Sequence, residues 1–271
     1  MKDRKLLCLL LCLWGAGCAN RLADAQVVAG ASGLQQAEIQ TDIFRITSFS
    51  RHSEGVAPTV VYIEGDGFAW VTASQPSSDP TPKHALGLRL ASLDPAPNVV
   101  YLARPCQFTP QDKACRVDYW TSKRFSEEVI ASLNEAINQS AGKQGIHLVG
   151  YSGGGAIAAL IAARRDDVLS LRTVAGNLDP TELNLYHHVS PLTGSLDPMK
   201  VAARLSRLPQ RHWVGDKDEV VPPFIAENFI KAQKQPSCAI LQHAPQATHE
   251  QGWEDVWVLE VRGLVPTCVG E

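Results

Sequence analysis

The chain has 271 residues, of which 45% are hydrophobic and 20% charged, and its formal net charge is −3. This length is sufficient for one α/β domain with a large core, since such domains commonly reach about 250 residues. The mild acidity argues against a nucleic-acid-binding protein, which would carry a basic stripe on its surface.

The N-terminus has the pattern of a bacterial export signal. Basic residues within 2–5 precede the apolar run 6–14, which is too short to span a membrane, and small residues fill 15–17 before Cys18. The pattern predicts cleavage before Cys18 and a lipid on its thiol, which would tether the protein to a membrane in the periplasm or cell envelope. The alternative is a signal of residues 1–25, cleaved after Ala25, which would release a secreted protein.

The rest of the chain divides into a tether and one domain. Residues 18–36 lack periodicity and are expected to be a tether, so the folded domain would occupy 37–271. Residues 39–49 are rich in β-branched side chains, and apolar and polar side chains partly alternate along them. This pattern is typical of antiparallel strands. Near-continuous apolar runs, the pattern of strands buried on both faces of a parallel sheet, follow at 59–63, 99–102, 146–149, 171–174, 212–214 and 239–241.

Helical patterns separate these apolar runs. They cover 126–139, 154–164, 199–207 and 223–234. The alternation predicts an α/β fold with a mostly parallel, doubly wound sheet and helices on both faces. Long loops are expected at 69–82 and 179–197. Because ligands of such sheets bind at the carboxyl ends of the strands, we expect the functional site there.

Four cysteines remain beyond the signal, an even number in a compartment that permits disulfides. Of the three possible pairings we favour Cys106 with Cys115, which closes a short loop, and Cys238 with Cys268, which joins the C-terminal tail to the last strand. No cysteine pair has the spacing of a metal site, so neither a metal nor another cofactor is predicted.

A candidate nucleophile follows one of the predicted buried strands. The stretch Gly150-Tyr151-Ser152-Gly153-Gly154 matches Gly-x-Ser-x-Gly, which by itself arises by chance in about one chain in ten of this length. Here it lies between a strand and a helix of small residues, the context that a nucleophile elbow requires. Ser152 is therefore the candidate nucleophile, and the backbone N–H of Gly153 is a candidate donor to an oxyanion.

Serine needs a base, itself oriented by an acid, to become a nucleophile. His249, after the last predicted strand, is the candidate base. Asp218, after the strand 212–214, is the favoured acid. Asp216 and Asp179 also follow strands and remain alternatives.

These residues resemble the α/β-hydrolase superfamily over about residues 39–261. The order Ser152, Asp218, His249 is the family's order, and the stretch 215–222 matches the family's Gly-x-x-Asp-x-x-Val-Pro pattern at each fixed position. The resemblance implies an α/β-hydrolase fold. The short segment 179–197 leaves room for only a small lid, or none.

The loop after the strand 59–63 departs from the family pattern. Relatives commonly have His-Gly-x there and use the backbone N–H of x as the second oxyanion donor. The chain has Glu64-Gly65-Asp66, which assigns that donor to Asp66 and requires its carboxylate to point away, to be paired, or to bind a cationic group. A simple tight turn is the alternative.

Two further residues are candidates for substrate contacts. Arg104 stands at the carboxyl end of its predicted strand, where it could hold a carboxylate, although an ion pair with Glu64 or Asp66 is favoured. Tyr151 precedes the candidate nucleophile.

The sequence thus predicts a serine hydrolase that cleaves a small-molecule carboxylic ester, thioester or small amide through an acyl-enzyme on Ser152. An acyltransferase would use the same residues. A hypothesis from another class is a non-catalytic binding or scaffold lipoprotein of the envelope on the same fold.

Overall fold

One eight-stranded sheet with helices on both faces forms the body of the protein. The structure is a computed structural model that describes residues 20–234, 238–261 and 268, so the predicted signal and Cys18 lie outside the described residues. The strands are Gln35–Gln40 (β1), Arg45–Arg51 (β2), Thr59–Ile63 (β3), Val99–Leu102 (β4), Ile146–Tyr151 (β5), Val168–Val174 (β6), Gln210–Gly215 (β7) and Ala239–Ala244 (β8). The helices are Arg21–Ala31 (α1), Leu86–Leu93 (α2), Glu127–Ser140 (α3), Gly153–Ala162 (α4), Pro180–Tyr186 (α5), Phe224–Ala232 (α6) and Trp253–Glu260 (α7).

The sheet is mostly parallel, as predicted. Its order is β1-β2-β4-β3-β5-β6-β7-β8, with β2 antiparallel to both β1 and β4 and all later pairs parallel. Every residue of β3, β4 and β5 is buried, which explains the continuous apolar runs because both faces of these strands are covered.

Two hydrophobic cores lie on opposite faces of the sheet. One contains the buried faces of α3, α4 and α6, and the other those of α1, α2 and α7. All residues of α4 are buried. This explains its small-residue composition, because small side chains let the helix lie close to the central strands.

Helix α1 corrects the predicted tether. Asn20 caps the helix by accepting the Ala23 N–H at 3.2 Å, and Arg21 Nη1 donates to the Thr81 carbonyl at 2.7 Å. Ala25 and Ala29 are buried in the core that α2 shares. Residues 20–31 therefore belong to the folded body, which the sequence placed only from residue 37 onward. The helix lacks a strong apolar stripe because its buried face consists mainly of small residues.

The predicted helix 199–207 is also wrong. The structure has two single turns of 3-10 helix there, Pro198–Lys200 and Ala202–Leu205. Pro209 has no N–H to donate to the Leu205 carbonyl, which accepts instead from the Leu208 N–H at 2.9 Å and from Gln210 Nε2 at 2.7 Å. The predicted loop 179–197 begins with the short helix α5, and the segment before β7 adds only these turns, as expected for a small or absent lid.

Both predicted disulfides are present. Cys106 pairs with Cys115 at a Cα–Cα distance of 5.6 Å, and Cys238 pairs with Cys268 at 4.3 Å. Within the described ranges, no helix has the length and hydropathy needed to cross a membrane.

Candidate active site

Ser152 occupies a strained turn between β5 and α4. Its backbone has φ 50° and ψ −121°, in a region that residues with a side chain adopt only when surrounding contacts hold them there. The Ser152 N–H donates to the Val174 carbonyl at 3.0 Å, and the Ser152 carbonyl accepts from the Asn177 N–H at 2.9 Å. The neighbouring strand β6 therefore fixes the turn.

The turn also depends on two glycines. A Cβ at Gly150 would overlap the carbonyl of Gly154, and a Cβ at Gly154 would overlap the carbonyl of Ile63. Both obstacles are backbone atoms that cannot rotate away. The glycines therefore allow the helix to start directly against the sheet, with the serine at its tip.

Ser152, His249 and Asp218 form one hydrogen-bonded chain. His249 Nε2 lies 3.0 Å from Ser152 Oγ, and His249 Nδ1 lies 2.9 Å from Asp218 Oδ2. Asp218 Oδ1 accepts the N–H groups of Val220 and Val221 at 2.9 and 2.8 Å, and the Asp218 side chain is fully buried. The arrangement can orient the imidazole and let it accept a proton from the serine.

The alternative acids lie elsewhere. Asp216 pairs with His243 at 2.5 Å, where both side chains are exposed. Asp179 caps α5 by accepting the Glu182 N–H at 3.1 Å. Of the three aspartates, Asp218 is the one in contact with His249.

Two aromatic side chains hold the backbone of His249. Its carbonyl accepts hydrogen bonds from the Tyr151 hydroxyl and from Trp253 Nε1, each at 3.1 Å. The Tyr151 and His249 rings lie 5.5 Å apart between centroids. Tyr151, a candidate for a substrate contact, lines the cavity that contains Ser152 and also supports the candidate base His249.

Two backbone N–H groups beside Ser152 can receive an oxyanion. Gly65 packs against the serine so closely that a Cβ there would lie 3.1 Å from Ser152 Cβ. The next N–H, that of Asp66, donates no hydrogen bond to any described residue. The N–H of Gly153, the first residue of α4, has no acceptor within the helix. Paired donors of this kind can stabilise developing negative charge.

Glu64 holds the loop 64–66, the oxyanion loop, from inside the protein. Its carboxylate is buried and accepts the N–H groups of Gly65 at 2.9 Å and Gly87 at 3.2 Å, together with the Tyr101 hydroxyl at 3.0 Å. Burial raises the pKa of Glu64, and the hydrogen bonds from the backbone act in the opposite direction. The residue that replaces the family's histidine thus ties the loop to the N-terminus of α2.

The Asp66 carboxylate is paired, one of the arrangements the sequence allowed. Oδ1 lies 2.9 Å from Arg104 Nη1, and Oδ2 lies 3.4 Å from Arg124 Nε. Burial alone would raise the pKa of Asp66, but the charges of Arg124 and Arg104 outweigh it and hold this pKa below its usual value. Arg104 is 4% exposed and also donates to the Arg124 carbonyl. It therefore forms the ion pair that the sequence favoured over a substrate contact.

The loop 106–115, closed by the bridge between Cys106 and Cys115, contacts the same site through Gln107. Its Nε2 donates to the Gly65 carbonyl at 2.9 Å, and its Oε1 accepts the Arg104 N–H at 3.0 Å. Gln107 directly follows Cys106, which is bonded to Cys115. The bridge therefore anchors a residue that holds the oxyanion loop.

A cavity of about 490 Å³ opens above the candidate nucleophile, within the usual size range for small-molecule sites. Ser152, His249 and Arg124 line it, together with Phe68, Trp70 and Lys83. Sequence reasoning missed Arg124 because its place in the pocket comes from a contact with Asp66, 58 positions earlier in the chain. No local signal indicates such a contact. The described residues contain no cluster of three side chains that could hold a metal ion.

No protein-family model matches the sequence, and no curated protein matches it. Solved structures are similar in fold. A bacterial membrane phospholipase A is 21% identical, with 90% of this chain and 92% of that chain covered and a TM-score of 0.55. Est1E from Butyrivibrio proteoclasticus is 14% identical, with 84% and 96% covered and a TM-score of 0.57.

An acylaminoacyl peptidase of Pyrococcus horikoshii is 12% identical, with 80% of this chain and 37% of that chain covered and a TM-score of 0.54. These likenesses concern the arrangement of strands and helices. Together with the mostly parallel eight-stranded sheet, they show that the chain has the α/β-hydrolase fold.

Proposed function

We propose that the protein is a serine hydrolase that cleaves a carboxylic ester, thioester or small amide through an acyl-enzyme on Ser152. The observation that carries this proposal is the continuous hydrogen-bonded chain from Ser152 through His249 to buried Asp218 in the wall of a pocket. The likeness to a membrane phospholipase A places phospholipid esters among the substrates to be tested.

In the first half-reaction, Ser152 Oγ attacks the carbonyl carbon while His249 Nε2 accepts its proton. The buried Asp218 carboxylate stabilises the imidazolium that forms. The N–H groups of Asp66 and Gly153 receive the negative oxygen of the tetrahedral intermediate. His249 then gives the proton to the departing alcohol, thiol or amine, which leaves the acyl group on Ser152.

In the second half-reaction, His249 takes a proton from water as the water oxygen attacks the acyl carbon. The intermediate collapses, the proton returns to Ser152 Oγ, and a carboxylic acid leaves. An acyltransferase would differ only in using an alcohol in place of water. Product analysis in the presence of glycerol separates the two reactions, because transfer yields an acylglycerol.

An uncharged fluorophosphonate probe tests the nucleophile. We expect wild type to be labelled and Ser152→Ala to remain unlabelled. Asp218→Asn should slow labelling strongly, whereas Asp216→Asn and Asp179→Asn serve as matched controls that keep the wild-type rate. A folded wild-type protein that resists the probe would instead support the scaffold hypothesis.

We also propose that the chain is exported and cleaved before Cys18. Cleavage after Ala25 would cut α1 and remove Arg21, whose guanidinium bonds the Thr81 carbonyl. The two disulfides are consistent with an oxidising compartment. Mass spectrometry of the mature N-terminus decides between the two cleavage sites, since an unmodified chain that begins at Gln26 excludes lipidation.

A further inference from the structure

Arg124 places a fixed positive charge in the wall of the pocket that contains Ser152. Its side chain is 13% exposed, and its guanidinium lies 5.3 Å from the centre of the Phe125 ring. Nε faces Asp66 Oδ2 at 3.4 Å. The two terminal nitrogens donate no hydrogen bond to any residue that the structure describes. Packing thus orients the side chain while donors remain for a ligand.

The charges around Asp66 are unbalanced. Two guanidinium groups, of Arg104 and Arg124, face one carboxylate, whose pKa they hold low. Arginine stays protonated in proteins, so these three side chains together carry one net positive charge. Arg104 is buried and bonded to Asp66 and to the Arg124 carbonyl. Of the two guanidinium groups, Arg124 is therefore the one that a ligand in the pocket can reach.

Two more acidic residues line the pocket, but neither forms an ion pair with Arg124 in the described part of the chain. Glu64 is buried, its oxygens accept hydrogen bonds from Gly65, Gly87, Leu88 and Tyr101, and its charge acts on buried Arg104. Glu250 is exposed beside His249, where water screens it. A second cation, Lys83, is exposed at the pocket and lies 4.0 Å from the centre of the Phe68 ring. The free hydrogen-bond donors inside the pocket thus favour a ligand that accepts hydrogen bonds and carries negative charge.

We infer that Arg124 is a specificity-determining residue that binds an anionic group of the substrate. The substrate class is then acyl esters or amides that carry a carboxylate or a phosphate near the scissile carbonyl. This inference rests on the proposed hydrolase function. Guanidinium suits both anions because its planar N–H groups bind two oxygens at once.

Matched substrate pairs test the inference and separate the two sources of the anion. The carboxylate pair is 4-nitrophenyl butanoate and the mono-4-nitrophenyl ester of glutaric acid. The phosphate pair is a monoacylglycerol and the lysophosphatidic acid with the same acyl chain. We expect wild type to prefer the charged member of at least one pair in kcat/KM, and that pair identifies the anion.

Arg124→Gln removes the charge while keeping a planar polar group. It should lower kcat/KM for the preferred charged substrate by about 10- to 100-fold more than for its neutral partner, the usual worth of a charged hydrogen bond. Arg124→Lys should recover only part of the preference. Arg116→Gln makes the same change on an exposed side chain outside the pocket lining and should keep the wild-type ratio.

Other outcomes overturn the inference. If Arg124→Gln lowers the rates for charged and neutral substrates equally, Arg124 only holds Asp66 in place. If wild type prefers the neutral esters, or prefers the cationic ester butanoylcholine, the assigned substrate class is wrong. Labelling of Ser152 by the uncharged probe keeps the proposed function standing in all these cases, whereas absence of labelling rejects that function itself.

Discussion

The Cα of Gly153 packs against the carboxylate of Asp66, so that a Cβ on residue 153 would overlap Oδ1. Arg104 and Arg124 pair with the same carboxylate at 2.9 and 3.4 Å. The two residues whose N–H groups are the proposed oxyanion donors are therefore in direct contact. A displacement of Asp66 would move one donor relative to the other.

Gly153→Ala is predicted to disable the oxyanion hole without unfolding the protein. The new methyl group must push the Asp66 carboxylate away, and loss of one such donor lowers kcat by about 10²- to 10³-fold. The rate of ester hydrolysis measures this loss. Gly30→Ala, in α1 with no atom near the new Cβ, is the matched control and should keep full activity. Equal activity of the two variants would contradict the proposed donor geometry.

Glu64→Gln is predicted to lower stability and activity together. The amide oxygen replaces only one carboxylate oxygen, so glutamine keeps either the Gly65 and Gly87 bonds to Oε1 or the Leu88 and Tyr101 bonds to Oε2, and the amide nitrogen cannot accept the others. Buried donors left without acceptors cost about 1–3 kcal/mol in the free energy of unfolding, which urea titration measures. Glu38→Gln, at a half-exposed ion pair on β1, should change this free energy by less than about 0.5 kcal/mol.

A histidine buried in β7 should make the protein sensitive to acid. Burial lowers the pKa of His212 from 6.5 to about 3, so the unfolded chain binds an extra proton at this residue between those pH values. The free energy of unfolding should therefore fall below pH 6.5, by up to about 1.4 kcal/mol per pH unit from this residue.

Urea titrations at pH 7 and pH 5 test the role of His212. His212→Gln should show a smaller loss of stability between the two pH values than wild type does. His52→Gln, which changes an exposed histidine, should keep the wild-type difference. An unchanged difference in the His212 variant would show that other groups cause the acid sensitivity. His147 would be the next to test, since burial lowers its pKa to about 4.

Removal of the first half of α1 is predicted to destabilise the domain. A chain that begins at Gln26 loses Arg21 and its hydrogen bond to Thr81, and it exposes the core around Ala29. A chain that begins at Asn20 keeps all these contacts. Thermal unfolding should give a lower midpoint for the shorter chain. Equal midpoints would remove the structural argument for cleavage before Cys18.

Much of the fold could be predicted because its signals are local. The apolar runs of β3, β4 and β5 report burial on both faces, and the glycines around Ser152 report a sharp turn. The contacts between Ser152, His249 and Asp218 follow from the order of the strands, since parallel strands bring their carboxyl ends to one edge.

The features that the sequence did not predict depend on contacts between segments that are far apart in the chain. Glu64 bonds the first turn of α2, more than twenty residues further along the chain, and Arg124 approaches Asp66 across the pocket. Neither contact leaves a pattern near the residues that make it. Helix α1 escaped detection because it buries mainly two alanines, too few apolar residues for a helical stripe.

The bridge between Cys106 and Cys115 makes the proposed activity depend on the redox state of the surroundings. In a reducing cytosol the bridge would be open, and Gln107 would lose the constraint that holds it against the Gly65 carbonyl. We therefore expect the reduced chain to hydrolyse esters more slowly than the disulfide-bonded chain. Under the proposed export, acyl esters of the cytosol would thereby be spared.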